Sequence, residues 1–306
     1  MGKFNYSIII PTKNIPSLLN RALKTIPERR DIQVIVVDDN SDPEKVDFNH
    51  YPGLDKKNTL VIFNKDGLGA GHARNVGLKH AEGKWLLFMD SDDLYTDDAF
   101  SFLDDHLNDD SDIIFFGITS ARAEDLSPCD RHKGKMEMIH KYMDDERQLH
   151  FYCRYFYNEP WGKMIKSNLV FSHNIEFDES MVANDYMFSV KIGYFANKIQ
   201  YDDRELYCVT ERQGSISDNQ YGTPQKIQSR LDVYYRVQLF MESKKIKLYP
   251  LIAIFLKMCQ QPRNVRNEMW LFIRKNHVKF IWLLKSMLKY IMYTGFRICT
   301  NRYYIR

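Results

Sequence analysis

Through the first 120 residues, short runs of aliphatic and β-branched residues alternate with longer stretches whose apolar positions recur at helical spacing. The runs Ser7–Ile10, Gln33–Val37, Leu60–Phe63, Trp85–Met89 and Asp112–Phe116 predict strands. Between them, Ser17–Ile26, Ala70–Ala81 and Asp97–Leu107 predict helices. Ile35-Val36-Val37 is apolar at successive positions, as expected of a strand covered on both faces. This alternation predicts an α/β fold with a mostly parallel central sheet. After residue 120 the pattern loosens. A helix is predicted over Asp185–Phe195, with short strands at Lys198–Tyr201 and Leu206–Thr210. Residues 223–306 read as mostly helical, broken at Pro250 and Pro262.

In sheets of this kind ligands bind outside the carboxyl ends of the strands, so the strand exits carry the information. The first strand exits into Pro11-Thr12-Lys13-Asn14, the second into Asp38-Asp39-Asn40-Ser41 and the fourth into Asp90-Ser91-Asp92-Asp93. Acids crowded on one rim repel unless a cation or hydrogen-bond donors compensate. Alone, the fourth exit reads as an acidic turn with Asp93 capping the next helix. Opposite a second acidic exit, it reads as a site for Mg²⁺ or Mn²⁺, hard ions that take oxygen ligands and leave positions for phosphate. Such an ion would offset charge on a departing diphosphate.

Four segments, in order, resemble family-2 glycosyltransferases, which have the GT-A fold. They are Ser7–Asn14, Val36–Ser41, the run Gly71–Leu78 with Ala81-Glu82-Gly83, and the D-x-D segment Phe88–Asp93. The resemblance implies that Pro11, Thr12, Asn14 and Asp39 contact the nucleoside, with Asp39 accepting from the base N–H and Asp38 supporting the turn. It implies that Asp90 and Ser91 approach the ribose or metal, and that Asp92 binds metal and diphosphate. Arg74 either contacts the nucleotide or pairs with the neighbouring aspartates. Asn184-Asp185 resembles the family's Glu-Asp pair, with Asn in place of Glu. The resemblance implies that Asp185 is the catalytic base, with Asp178 and Glu179 as nearby rivals. Trp161-Gly162-Lys163 resembles a segment near the sugar, where Trp161 either stacks on the ring or is simply buried. Arg212–Ser217 resembles the segment that closes over the diphosphate, with Arg212 meeting the leaving group or bridging to an acid. The expected domains are a GT-A catalytic region over 1–222 (nucleotide half 1–120, acceptor half 121–222) and a helical basic region over 223–306.

Gly67-Leu68-Gly69-Ala70-Gly71 imitates a dinucleotide fingerprint, but His72 stands where the pattern requires its third glycine. A turn needing positive φ explains these glycines. No zinc-spaced Cys/His set and no nucleophile elbow occurs, and His72, His132 and His173 read as surface or packing residues. The five cysteines are widely spaced, and the first strand follows at once without a charged-then-apolar leader, which points to the cytoplasm.

The net charge of +3 conceals an asymmetry. From Lys244 onward fourteen Lys and Arg face Glu268 alone, giving +13 there and −10 over residues 1–243. Over Lys275–Tyr293, helical projection gathers Phe280, Ile281, Leu284, Met287, Leu288 and Ile291 on one face. Lys275, Lys279, Ser286 and Lys289 fall opposite. One reading packs the apolar face on the catalytic domain. The other lays it on the anionic inner face of the plasma membrane, and the charge count favours this one. Nucleic acid is not an expected partner, because the front half is acidic and no nucleic-acid-binding motif is present.

The function expected is metal-dependent, inverting transfer of a hexosyl or N-acetylhexosaminyl group. The donor is a UDP-sugar and the acceptor a saccharide or lipid-linked glycan, as in surface polysaccharide assembly. Two alternatives are a sugar-1-phosphate nucleotidyltransferase, which would want a Gly- and Arg-bearing loop after the first strand, and a non-catalytic nucleotide-sugar-binding protein.

Overall fold

A computed structural model describes residues 3–212 and 222–300, the last eight of these as backbone only. It divides into two compact units. One comprises residues 3–179 and 184–212, and the other residues 180–183 and 222–300.

The first unit is built on an eight-stranded sheet in the order β3-β2-β1-β4-β7-β6-β8-β5. The strands β1 (Phe4–Thr12), β2 (Ile32–Asp39), β3 (Thr59–Asn64) and β4 (Gly83–Phe88) are mutually parallel. They correspond to four of the predicted runs, with the ends moved by one to three residues. Helices α1 (Pro16–Lys24) and α2 (Ala70–Leu78) form the crossovers, and α3 (Ala99–Asp105) follows the two-residue strand β5 (Leu94–Tyr95). Ile8, Ile9, Ile10, Ile35, Val36 and Val37 are all fully buried, as two-sided coverage requires. β2 and β4 lie on opposite sides of β1, so the order reverses there and leaves a crevice at the strand ends. The parallel α/β expectation holds here.

Beyond β4 the sheet is mixed. β7 (Lys163–Lys166) runs antiparallel to both β4 and β6 (Ile113–Arg122). Helices α4 (Lys133–His140) and α5 (Glu146–Tyr155) connect β6 to β7, and α6 (Ser167–Ser172) and α7 (Tyr186–Phe195) lead from β7 to the last strand. The two short strands expected at Lys198–Tyr201 and Leu206–Thr210 are one, β8 (Ile199–Glu211), parallel to β6. The polar break between them is an irregularity in the ladder, where Phe116 pairs with Asp202 but Gly117 with Glu205. A Cβ on Gly117 would stand 2.5 Å from the Asp203 carbonyl oxygen, so only glycine admits the extra residues of β8.

The second unit contains α8 (Pro224–Ser243), α9 (Pro250–Cys259), α10 (Arg263–Lys275) and α11 (Phe280–Thr300). Pro250 stands at the start of α9 and Pro262 caps α10, so both prolines begin helices. Leu231, Leu251, Met258 and Phe272 are the most buried members of its own core.

Candidate active site

The exits of β1, β2 and β4 share one edge of the sheet, because Thr12 pairs with Asp38 and the Met89 N–H donates to the Ile9 carbonyl at 3.1 Å. Asn14 and Asn40 turn the first two exits with φ near 60°, a region that asparagine tolerates better than most residues. The Asn14 side chain is committed to this turn, since its Oδ1 accepts from the Asp42 N–H at 2.7 Å. Asp38 is buried and accepts from the Ser41 N–H, the Ser41 hydroxyl and the Tyr51 hydroxyl at 2.5–2.8 Å. It is therefore the support of the turn. Asp39 faces the crevice, accepting from Lys13 Nζ at 3.3 Å and from the Gly69 N–H at 3.1 Å. Gly69 has φ of 96°, and a Cβ on Gly71 would collide with the Asp178 carbonyl oxygen at 2.1 Å. The glycines thus serve a tight turn and a close approach.

The fourth exit is held by β8. Tyr207 Oη accepts from the Asp90 N–H at 3.0 Å and donates to Asp93 Oδ2 at 2.8 Å. The Thr210 N–H donates to Asp93 Oδ1 at 2.7 Å, while the Thr210 hydroxyl donates to the Asp92 carbonyl at 2.8 Å. Asp93 is therefore not a helix cap. It is a buried anchor whose carboxyl is pushed well up by burial and then by the charges of Asp90 and Asp92. Arg21 donates to the Asp92 carbonyl at 3.0 Å, and Arg212 Nε donates to Asp92 Oδ2 at 2.8 Å. Of the segment Arg212–Ser217, residues 213–217 lie outside the described residues. Pro11, Thr12 and Ser91 are buried along this edge.

Tyr207, Thr210 and Arg21 were not expected in the site, because nothing local in the sequence pairs them with residues 70 or more positions away. Tyr207→Phe should lower stability by about 1–3 kcal/mol, since a buried acceptor and donor both lose a partner. A denaturant midpoint equal to wild type would refute this.

Arg74 connects the two halves of the site. The residue is 5% exposed, with Nη2 on Asp90 Oδ1 at 2.6 Å and Nη1 on Asn184 Oδ1 at 3.0 Å. Of the two roles expected for Arg74, the ion pair with the aspartates is formed. Asn184, the departure from the family's Glu, still accepts a hydrogen bond.

Asp185 caps α7 by position, but its side chain makes no capping hydrogen bond. Its carboxyl is raised to about 6, first by burial and then by the carboxylates of Glu159 and Asp90, against the opposing charge of Arg74. Nearby, Lys163 is buried with its ammonium donating to the Tyr157 carbonyl at 2.7 Å, and burial lowers its pKa to about 7. Glu159 is ion-paired with Lys135. Of the two rivals, the Glu179 carboxylate is engaged. Glu179 pairs with His72 at 2.8 Å, and the Asp178 N–H donates to the Asn184 carbonyl at 3.0 Å. Trp161 is 7% exposed, and one face of its ring is stacked on Tyr207 at 5.3 Å.

Among the described residues, no three His, Cys, Asp or Glu side chains converge as a metal cage. Asp92 still suits Mg²⁺ or Mn²⁺. It is a partly exposed carboxylate at a strand exit, and such ions often take one or two protein carboxylates and complete their shell with substrate phosphate and water.

The sequence model described as Glycosyl transferase family 2 matches residues 7–178, more than half of the chain. The chain belongs to glycosyl transferase family 2. The poly(ribitol-phosphate) beta-N-acetylglucosaminyltransferase TarS of Staphylococcus aureus is 29% identical over 232 residues, 72% of this chain but 38% of TarS. The minor teichoic acid biosynthesis protein GgaB of Bacillus subtilis is 28% identical over 205 residues, 62% of this chain and 22% of GgaB. The chain thus spans about two fifths or less of these relatives. The crystal structure of S. aureus TarS 1-349 in complex with UDP-GlcNAc superposes with a TM-score of 0.55 at 25% identity, covering 75% of this chain and 65% of that one. The α/β architecture expected from the sequence is thus the GT-A fold of that structure, and family membership sets aside the nucleotidyltransferase reading.

Proposed function

We propose that this glycosyl transferase family 2 member moves a sugar, an N-acetylhexosamine by analogy with TarS, from a UDP donor to a hydroxyl of a saccharide or lipid-linked acceptor. The product belongs to a surface polysaccharide of the teichoic-acid kind. The observation that carries the reading is the Arg74 bridge, which ties Asp90 on the donor side to Asn184, next to Asp185, on the acceptor side. In this reading Asp39 and Thr12 bind the uracil, Pro11, Asn14 and Ser91 shape that pocket, and Trp161 walls the sugar site. Arg212 releases Asp92 to meet the diphosphate.

Asp185 takes the acceptor proton as the acceptor oxygen bonds to the anomeric carbon. The bond from that carbon to the diphosphate oxygen breaks on the opposite face, which inverts the configuration and frees UDP. Asp92 would hold a divalent ion, which when bound would supply Lewis-acid stabilisation of the charge on the leaving diphosphate. Residues 1–222 form the catalytic part, and 223–306 an accessory one. The enzyme works in the cytoplasm and meets lipid-linked acceptors at the inner face of the plasma membrane. Among the described residues, no helix is long and apolar enough to cross a membrane.

A thermal-shift screen of UDP-, GDP- and dTDP-sugars with and without Mn²⁺ tests the donor assignment. A ligand held only by the folded chain stabilises by about 2.7 kcal/mol at ~100 times its Kd, or several degrees in Tm. UDP-sugars with Mn²⁺ should give the largest rise. A larger rise with GDP- or dTDP-sugars, or none with any donor, refutes it.

A further inference from the structure

Helix α11 lies with its apolar stripe outward. Phe280, Ile281 and Leu288 are 65%, 68% and 60% exposed, and Leu284, Ile291 and Met292 lie open beside them. The side turned inward carries Trp282, Leu283 and the buried Ser286, which was expected on the outer, polar face. A single carboxylate sets this roll, since Glu242 of α8 accepts from Trp282 Nε1 at 3.0 Å and from the Ser286 hydroxyl at 3.2 Å. Tyr235 backs the Trp282 ring edge-on at 5.6 Å. Turning the stripe inward would break both hydrogen bonds, so this orientation is specified by side chains.

Helical spacing puts the exposed Lys285 at one margin of the stripe, with the exposed Lys289 further round the helix beyond it. Arg263, Arg266, Arg274 and Lys275 on α10 are exposed as well, and Glu268 is the only acid after Glu242. A second copy of so basic a surface would be repelled, whereas a sheet of anionic headgroups would be attracted. A helix with an apolar stripe and a basic margin settles in the plane of a lipid interface. From this we infer that α11 is a peripheral docking surface for an anionic bilayer, with the stripe in the acyl boundary and the lysines among the headgroups.

The test is co-sedimentation of the full chain with vesicles of phosphatidylcholine alone and of phosphatidylcholine with phosphatidylglycerol. The wild type is compared with Ile281→Glu/Leu288→Glu and with Lys285→Glu/Lys289→Glu. Binding should require phosphatidylglycerol, weaken with salt, and fall about tenfold or more in each double variant. Both variants change exposed side chains, so their circular dichroism and their UDP release in solution should match wild type. Failure of the catalytic reading is thereby separated from failure of this one. Wild-type chain that stays in the supernatant, or variants that bind like wild type, overturn the inference. So does a dimer in sedimentation velocity that the apolar variant abolishes while vesicle binding persists.

Discussion

Asp92→Asn should reduce sugar transfer by about a thousandfold, a loss of several kcal/mol of transition-state stabilisation at the leaving diphosphate. The substitution keeps the shape of the side chain and removes its charge. The loop itself should stand, because it hangs on Tyr207, Thr210 and Arg21 through the Asp90 N–H, the Asp93 carboxylate and the Asp92 carbonyl. Among the described residues, the Asp92 carboxylate accepts from Arg212 and does not hold the loop. Thermal stability without ligand should therefore stay close to wild type, while the stabilisation that Mn²⁺ adds to UDP binding disappears. Asp93→Asn should behave differently, since that carboxylate is buried and its loss would be read in the melting temperature. Assays of UDP release across a metal titration decide the matter. Transfer by Asp92→Asn within tenfold of wild type at saturating Mn²⁺ would remove the aspartate from the reaction.

The strand-exit half of this candidate site was legible in the sequence because parallel strands bury both faces and punctuate their ends. Ile8–Ile10 and Ile35–Val37 announce themselves by unbroken apolarity, and the polar residues that follow fall on one edge. What could not be read was partnership across long separations. Asp93 looks like any Asp before a helix until Tyr207 is seen bonded to it, and Trp161 looks free to stack on a sugar until the same tyrosine covers one face. β8 was split in two because Asp202 to Glu205 breaks the alternation, and only the facing Gly117 explains the break. The stripe on α11 was also legible, but its direction was not. Periodicity identifies a face without saying what it meets, and here Glu242 turned that face outward.

Asp185→Asn should lower transfer by about 10²–10⁴-fold, the range for loss of a positioned general base, while leaving donor binding intact. The carboxyl is raised from 3.8 to about 6 by burial first, so the folded chain holds its proton more tightly than the unfolded chain does. Two consequences follow with opposite signs. For catalysis the ionised form is required, so kcat/KM should climb tenfold per pH unit below about 6 and level off above it. For stability the protonated form is the favoured one, so its contribution is full below 3.8 and is lost as pH rises through about 6. At neutral pH the ionised Asp185 therefore strains the fold, and Asp185→Asn, which cannot ionise, should melt no lower than wild type. A dead enzyme that is at least as stable as its parent separates a base from a structural acid. Arg74→Gln should move the acid limb to higher pH, because the guanidinium opposes the rise. A variant Asp185→Asn that transfers normally, or a wild-type profile that is flat from pH 5 to 8, would assign the proton to another group.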